Sequence, residues 1–573
     1  MSRFARAVKK GGSFEGRVIQ ADKLTEVLRS APRALKVAGA RIVGELDLSD
    51  LRTSVPLTLT SCRFDQPIRL ERAHLSFLDL SRCTIPAIYA DGLRIEHGIV
   101  LSEVRCLKGG IDLTDAVIGG TLLLSGAELA NDEGAALDAD RLVVSGSVFL
   151  RAGFRAEATD ELGAVRMFGA RIGGQLDMSD ARVSNTDGPA FGADGMSVEE
   201  SAHFSRVAAA TTCDDDTIRL RGVHIGGQLR MDGAQLTNTD GPAVGADGIT
   251  VDGDAQFTEG FRAETASPNG TVRLAGARIG GELQLWGAQL KNSAGPAFLG
   301  DHLVVGETLT FGDGFRAEGA GPDGCFRLFG ARISGQLIGN GGHLVCQGGP
   351  ALTASTCRVE STVLFNDGFR AESTGDAATI IFIDAHFGTQ LSFRDAEIVQ
   401  NNPEQDGIDL DGVTVKGSLV LPLSGTRVDA DGLTYAQVPW DATLDEWLSM
   451  LAEHPAGYRA QPYQQLAKVH RAAGHERDAR RILIAQQRDL RRRGDIGGPF
   501  RRLVHRLSGV LIGYGYRPWR PLGGLLATVV LALLLTFGAG ARNMSTHSPG
   551  RPPGACTAVE NVAGYTGLVR KSS

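Results

Sequence analysis

The stretch Gly169-Ala-Arg-Ile-Gly-Gly-Gln-Leu176 decides the fold, because it recurs as GVHIGGQL at 222–229, GARIGGEL at 276–283 and GARISGQL at 330–337. A fainter AVIGGTL stands at 116–122 and HFGTQL at 386–391. The marker apolar residues are Ile118, Ile172, Ile225, Ile279, Ile333 and Phe387, spaced by 54, 53, 54, 54 and 54 residues. Two further markers keep the period. GPA occurs at 188–190, 241–243, 295–297 and 349–351, and FRAE at 154–157, 261–264, 315–318 and 369–372. The FRAE copy due near Val207 is missing, and the chain reads VAAA there. Self-similarity at a fixed period marks a repeat architecture whose stacked units bury a shared core.

Outward from these copies a shorter period appears. LTLTSCRF at 57–64 is matched by LDLSRCTI at 78–85, and Leu59, Leu80 and Leu101 are each 21 residues apart. In Gly281-Glu-Leu-Gln-Leu285 apolar and polar residues alternate, which puts the leucines on one face of a strand. Gly-Ala and Asp-Gly steps supply the turns. The expectation is a mainly β chain: a right-handed parallel β-solenoid with coils of about 21 residues. The 54-residue unit is then two coils plus an inserted loop, with ASPNG at 266–270 and GAGPDG at 319–324 as the loop candidates. At about 4.8 Å per coil, roughly 16–18 coils would reach roughly 75–85 Å.

The steps Ala170-Arg171-Ile172-Gly173-Gly174 and Ala277-Arg278-Ile279-Gly280-Gly281 resemble degenerate pentapeptide repeats. The chain as a whole resembles a group of actinobacterial membrane proteins with a pentapeptide-like solenoid, a basic helical segment and C-terminal hydrophobic spans. Proteins of that type are often labelled "membrane-associated oxidoreductase". The resemblance implies an oxidoreductase as an alternative function, but no residues here support that label. It also implies a second span, from which this chain departs by ending in GYTGLVRKSS.

Charge is strongly polarised. Residues 36–440 hold 54 acidic and 32 basic side chains, whereas residues 459–520 hold 15 basic and 4 acidic ones. An acidic solenoid argues against direct nucleic-acid binding, and it suits a soluble surface or a polyanionic decoy for a DNA-binding protein. The eight cysteines are scattered with no CxxC, as expected of a reduced chain. Met1 to Arg33 has eight basic residues and no apolar core of a signal peptide.

After about Tyr435 the period breaks into helical patterns: DATLDEWLSMLAEHP, YQQLAKVHRAAG and ERDARRILIAQQRDLRRRG. The middle pair resembles one tetratricopeptide-type hairpin, expected to cap the open solenoid end. Residues 521–541 contain no charged side chain, a length that spans about 30 Å of hydrocarbon as a helix. The expected lipid partners are this stretch and the basic flank of Arg501, Arg502, Arg506, Arg517 and Arg520, with Trp519 and Tyr516 as interfacial anchors. Residues 499–515 suit a basic amphipathic helix on the membrane surface. The reading is therefore 1–36 as an N-terminal segment with a short helix at 22–30, 37–440 as solenoid, 441–495 as helical cap, 496–520 as juxtamembrane segment, 521–541 as transmembrane helix and 542–573 as tail. The basic flank places the solenoid in the cytoplasm and the tail outside, in a single-pass cell-membrane protein.

Linear motifs for chemistry are weak. Gly319-Ala-Gly-Pro-Asp-Gly324 fits GxGxxG but lies in a repeat loop with no following helix, so it reads as a turn. Asp409-Leu-Asp411-Gly412 and Asp429-Ala-Asp431-Gly432 lack the remaining ligands of a Ca²⁺ loop and read as turns. The twelve histidines show no HExxH and no pair at i, i+4; His224, His302, His343 and His386 read as surface or stacking residues. No GxSxG elbow occurs, and Cys62 and Cys83 read as apolar groups stacked between coils. No catalytic, cofactor-binding or metal residue is therefore assigned. The expected function is a membrane-anchored, non-enzymatic scaffold with an unidentified protein partner on the solenoid.

Overall fold

The computed structural model describes residues 16–30, 33–423, 425–438, 442–453, 457–494, 497–512, 514 and 519–540. These fall into two compact units divided between residues 496 and 497. The first is a parallel β-solenoid followed by helices.

One coil shows how the repeat builds the wall. Val165–Arg166 lies on the first face, Arg171–Ile172 on the second, Leu176–Asp177 on the third and Arg182–Asn185 on the fourth. Each strand hydrogen-bonds in parallel to its equivalents one coil before and after, as in Val144 to Ile172 to Val198. The first face is a sheet of 16 strands and the fourth a sheet of 12.

The GARIGG copies mark one corner and the side after it. Gly169, Gly222, Gly276 and Gly330 each sit at φ of +64° or +65°, where a side chain costs free energy. Ala170, Ala277 and Ala331 then turn into the core, as do Ile172, Ile225, Ile279 and Ile333.

Coil length corrects the sequence reading. On the first face, strand starts at Leu46, Ile68 and Ile88 are 22 and 20 residues apart, close to the expected 21. From Glu128 onward the fourth-face strands start 27 residues apart, at Glu128, Arg155 and Arg182 and again from Ala208 to Glu397. The 54-residue unit is thus two long coils, each with its own insertion between the fourth and first faces. Ile68 follows Arg63 by five residues, whereas Val165 follows Arg155 by ten. ASPNG and GAGPDG do lie in such insertions, and so does every GPA.

Core volume explains why two coils, not one, make the sequence period. At the second residue of the fourth-face strand, stacked neighbours run Leu129, Ala156, Val183, Ala209, Leu236, Ala263, Leu290, Ala317, Leu344, Ala371 and Ile398. Two residues earlier the order of size is inverted: Phe154, Phe261, Phe315 and Phe369 alternate with Ala181, Ala234 and Ala288. Each large side chain faces a small one above and below, which fills the interior at native density. FRAE and its partner GA-x-L are the two halves of that alternation.

The helix Ala21–Arg29 (α1) buries Ala21, Leu24, Val27 and Leu28 at the N-terminal end. At the other end stand α2 (Leu444–Glu453), α3 (Gln461–Ala472) and α4 (Glu476–Arg493). They share one hydrophobic core with the solenoid. Trp447 stacks on Tyr435 at 5.9 Å, and Gln461 and Gln465 donate to the Leu433 and Tyr435 carbonyls at 2.9 and 2.6 Å. Those side chains take up two backbone carbonyls at the edge of the last coil.

The second unit contains α5 (Pro499–Ile512) and α6 (Trp519–Gly540). In α6 the side chains described are those of 522–537, and the large apolar ones from Leu522 to Phe537 are exposed. Among the described residues no helix is long and apolar enough to cross a membrane. Arg517, Tyr516, Cys556 and the tail lie outside the described residues, as do the side chains of Trp519 and Arg520.

Candidate functional site

The insertions lengthen the fourth-face strands to four or five residues and leave a trough beside them. Its floor is the outer side of those strands, and its wall is the loops. The trough has a volume of about 790 Å³ and runs along the solenoid axis from Ala130 and Asp132 to Ser293. A second depression of about 430 Å³ continues it across Arg155, Arg182, Ala208 and Gln235.

Three columns of residues line the trough. The outward third residue of each strand is Ala130, Glu157, Ser184, Ala210, Thr237 and Glu264. The inward fourth residue alternates between an amide and a small side chain: Asn131, Ala158, Asn185, Thr211, Asn238, Thr265 and Asn292. Beyond it Thr186, Thr212, Thr239, Ala266 and Ser293 begin the loops. Small side chains at these points are what leave the trough open.

The asparagines hold the loops in place. Asn185 Nδ2 donates to the carbonyls of Asp160 and Pro189 at 2.7 and 2.8 Å. Asn238 does the same to Asp215 and Pro242, and Asn292 to Ser267 and Pro296. One amide thereby bonds two carbonyls, one in its own loop and one in the loop of the preceding coil, and the proline carbonyls accept in addition from the Ala164, Thr217 and Thr271 amides. In the alternate coils Thr211 and Thr217 share a hydroxyl hydrogen bond of 3.0 Å, and Thr265 and Thr271 one of 2.8 Å. The GPA glycines permit the stacking: a Cβ on Gly241 would lie 2.1 Å from the Asp215 carbonyl oxygen.

Ion pairs run along the fourth face and are denser in its later coils. From Arg316 onward it is cross-linked: Arg316 pairs with Glu318 at 2.6 Å, and Arg370 with Glu397 at 2.6 Å. His343 bridges Arg316 and Glu372, at 2.7 and 2.9 Å. A hydrogen bond from Arg370, together with His343, holds the Glu372 carboxyl below its ordinary range. In the trough Glu264 pairs with Lys291 at 2.6 Å, Glu157 has no ion-pair partner among the described residues, and the loop rim carries Asp132, Glu133, Asp187 and Asp240. The trough is therefore lined by small and hydroxyl-bearing side chains beneath an acidic loop rim.

Much of the acidity elsewhere is neutralised in place. Arg219 joins Asp194 and Asp215 at 2.5 and 2.7 Å, Arg221 joins Asp215 and Asp216 at 2.6 Å each, and Arg327 joins Asp301 at 2.6 Å. Arg166 and Arg273 contact Asp140 and Asp247 in the same way. Asp216 is fully buried in this network, and burial pushes its carboxyl up to about 6.

The motifs singled out in the sequence fall as turns. Gly319 and Ala320 close the strand Arg316–Ala320, and 321–325 is a loop. Asp409 and Asp429 accept hydrogen bonds from the amides of Asp411 and Asp431 at 3.0 and 2.9 Å, which closes Asx turns. Cys62 and Cys83 are buried, and the Cys83 thiol donates to the Leu59 carbonyl at 2.8 Å. Burial pushes the Cys106 and Cys357 thiols to about 12 and Cys346 to about 11, so these sulfurs are inert at neutral pH. The sequence reading missed the trough, although its signal was present in the N-T-D-G-P-A loops at 185–190 and 238–243. It also missed the approach of His470, His475 and Asp478, which a search for i, i+4 pairs passes over. Burial holds the His470 imidazole below its ordinary value.

Comparison with known proteins matched no family model, no curated protein and no solved structure.

Proposed function

We propose that this protein is a membrane-anchored, non-enzymatic interaction solenoid whose trough receives an extended polypeptide segment of a partner. The observation that carries the proposal is the trough itself. Hydroxyl and carboxylate groups recur coil after coil along one straight line, from Asp132 to Ser293. Repeated donors and acceptors at about 4.8 Å suit a chain that is itself extended, and a rigid β-wall supplies them at little ordering cost. The acidic rim favours a segment rich in Lys or Arg. High thiol pKa values and the Asx turns at 409–412 and 429–432 leave redox or Ca²⁺ chemistry without supporting groups. Arginines interleaved with the aspartates of the first face break up the continuous negative potential that a DNA decoy needs.

The anchoring half of the proposal rests on the sequence alone: 521–541 carries no charge over 21 residues, whereas no helix among the described residues is long and apolar enough to cross a membrane. The exposed Arg501, Arg502 and Arg506 of α5 suit anionic headgroups, with the solenoid on the cytoplasmic side. Fractionation of cells expressing the chain with and without residues 497–573 tests this. The account expects the whole chain in membranes, extracted only by detergent, and the truncated chain in the soluble fraction. A whole chain found in the soluble fraction would refute anchoring.

A further inference from the structure

We propose that His470, His475 and Asp478 form a binding site for one divalent transition-metal ion of the zinc class. The three lie at the turn of the hairpin between α3 and α4. His470 is in the last turn of α3, His475 directly precedes α4, and Asp478 is in its first turn. Gly474, at φ +84°, reverses the chain between them. That reversal folds one donor atom from each side chain to within 4.8 Å of the other two. The two imidazole rings stand 6.0 Å apart at 49°.

Two features point to a ligand rather than to a crowded turn. His470 Nδ1 is shielded from water and has no hydrogen-bond partner among the described residues. A buried, unpartnered ring nitrogen is costly unless something binds it. Asp478, in turn, is held only loosely, with its nearest cation, Arg481, at 3.6 Å. Tetrahedral donors at about 2.1 Å from an ion are about 3.4 Å from one another. Small side-chain rotations of the exposed His475 and of Asp478 close that gap.

The donor set fixes the class of ion. Two neutral imidazoles and one carboxylate suit Zn²⁺, Ni²⁺ or Cu²⁺, whereas Ca²⁺ and Mg²⁺ need more oxygen ligands than this turn offers. The surroundings are basic, with Arg471, Arg477, Arg480 and Arg481 close in sequence. A site among cations needs the covalent character of nitrogen ligation rather than charge attraction alone. Three protein ligands leave a fourth position for water. The bound ion would clip the end of α3 to the start of α4, and so stiffen the helices that close the solenoid.

The test uses the whole chain without an affinity tag, in detergent, titrated with Zn²⁺ by calorimetry and with Co²⁺ by visible absorption. The proposal expects one equivalent of Zn²⁺, a tetrahedral Co²⁺ spectrum and a rise in Tm with Zn²⁺. His475→Gln and Asp478→Asn should each weaken binding at least tenfold and abolish the Tm rise. Both sites are at the surface, so these variants keep the fold. His302→Gln, on an exposed solenoid corner, should change nothing. Unchanged Zn²⁺ affinity in both His475→Gln and Asp478→Asn, or no stoichiometric Zn²⁺ binding to the native chain, overturns the proposal.

Discussion

Phe191 lies edge-on to Phe204, with ring centroids 5.4 Å apart at 69°, in the coil where the corner phenylalanine is replaced by Val207. In the equivalent coils the ring at that position meets the corner phenylalanine of its own coil: Phe257 with Phe261 at 5.3 Å, Phe311 with Phe315 at 5.5 Å, Phe365 with Phe369 at 4.8 Å. The regular corners carry two successive left-handed residues, such as Glu259-Gly260 and Asp313-Gly314, whereas this corner has Arg206 alone. One residue is missing there, and that shortens one repeat from 54 to 53. In this coil the Phe204 ring packs against Phe191 of the first face instead.

Phe191→Val is therefore expected to destabilise the solenoid by about 1–3 kcal/mol, the range for removing buried aromatic volume with partial collapse. Valine stands at this position in other coils, at Val165 and Val244, so the backbone tolerates it. The urea midpoint measures the effect. An unchanged midpoint would mean that Phe191 fills no gap.

The glycines of the GPA marker predict a second cost. Gly241→Ala brings a methyl group against the Asp215 carbonyl at an initial 2.1 Å, with backbone on both sides of the clash. The loops must separate, at a cost of about 1–3 kcal/mol by analogy with overpacked cores. Gly498→Ala, where nothing lies within 4 Å and φ is not left-handed, serves as the control. Equal Tm values for the two variants would contradict this account of the marker.

Asn238→Ala removes a buried amide, taking one donor from the Asp215 carbonyl and leaving the Pro242 carbonyl with the Thr217 amide alone. Losing these two bonds costs about 1–3 kcal/mol. Faster amide exchange should be confined to the loops at 212–217 and 239–243, because the β-ladder is untouched. Exchange spread over the whole coil would show that the amide supports more than the loops.

Asp216 gives the stability a pH dependence of unusual sign. Its unfolded carboxyl titrates near 3.8 and its folded one at about 6, because burial disfavours the charge. Between these values the folded chain binds more protons, so this group's contribution falls as pH rises from about 4 to about 6. Asp216→Asn should gain on the native chain across that window, read as the difference in denaturant midpoint. A difference that is flat or of opposite sign would contradict the assignment.

What the sequence showed and what it hid follow from locality. The αL corner at Gly169 and the inward Ile172 are set within a few residues, so their recurrence was readable as a parallel solenoid. The helix at 22–30 and the three helical patterns after Tyr435 were readable for the same reason. The coil length was not, because a period of 54 divides equally well into short coils with one long insertion or long coils with two. Only the size alternation between Phe154 and Ala181 separates them, and its meaning depends on which residues stack. The trough was hidden because Asn185 and Asn238 look like ordinary turn residues until their carbonyl partners, one coil back, are known.

The most direct test of the central claim, that a partner lies along the trough, places a photoreactive residue at Thr186 or Thr239 in the trough, and at Arg171 or Arg278 on the second face. The chain is then irradiated in membranes of its own cell. The account predicts one adduct of the same identity from Thr186 and Thr239, two coils apart, and none from the arginine positions. Equal labelling of both faces, or no adduct from the trough, would contradict it.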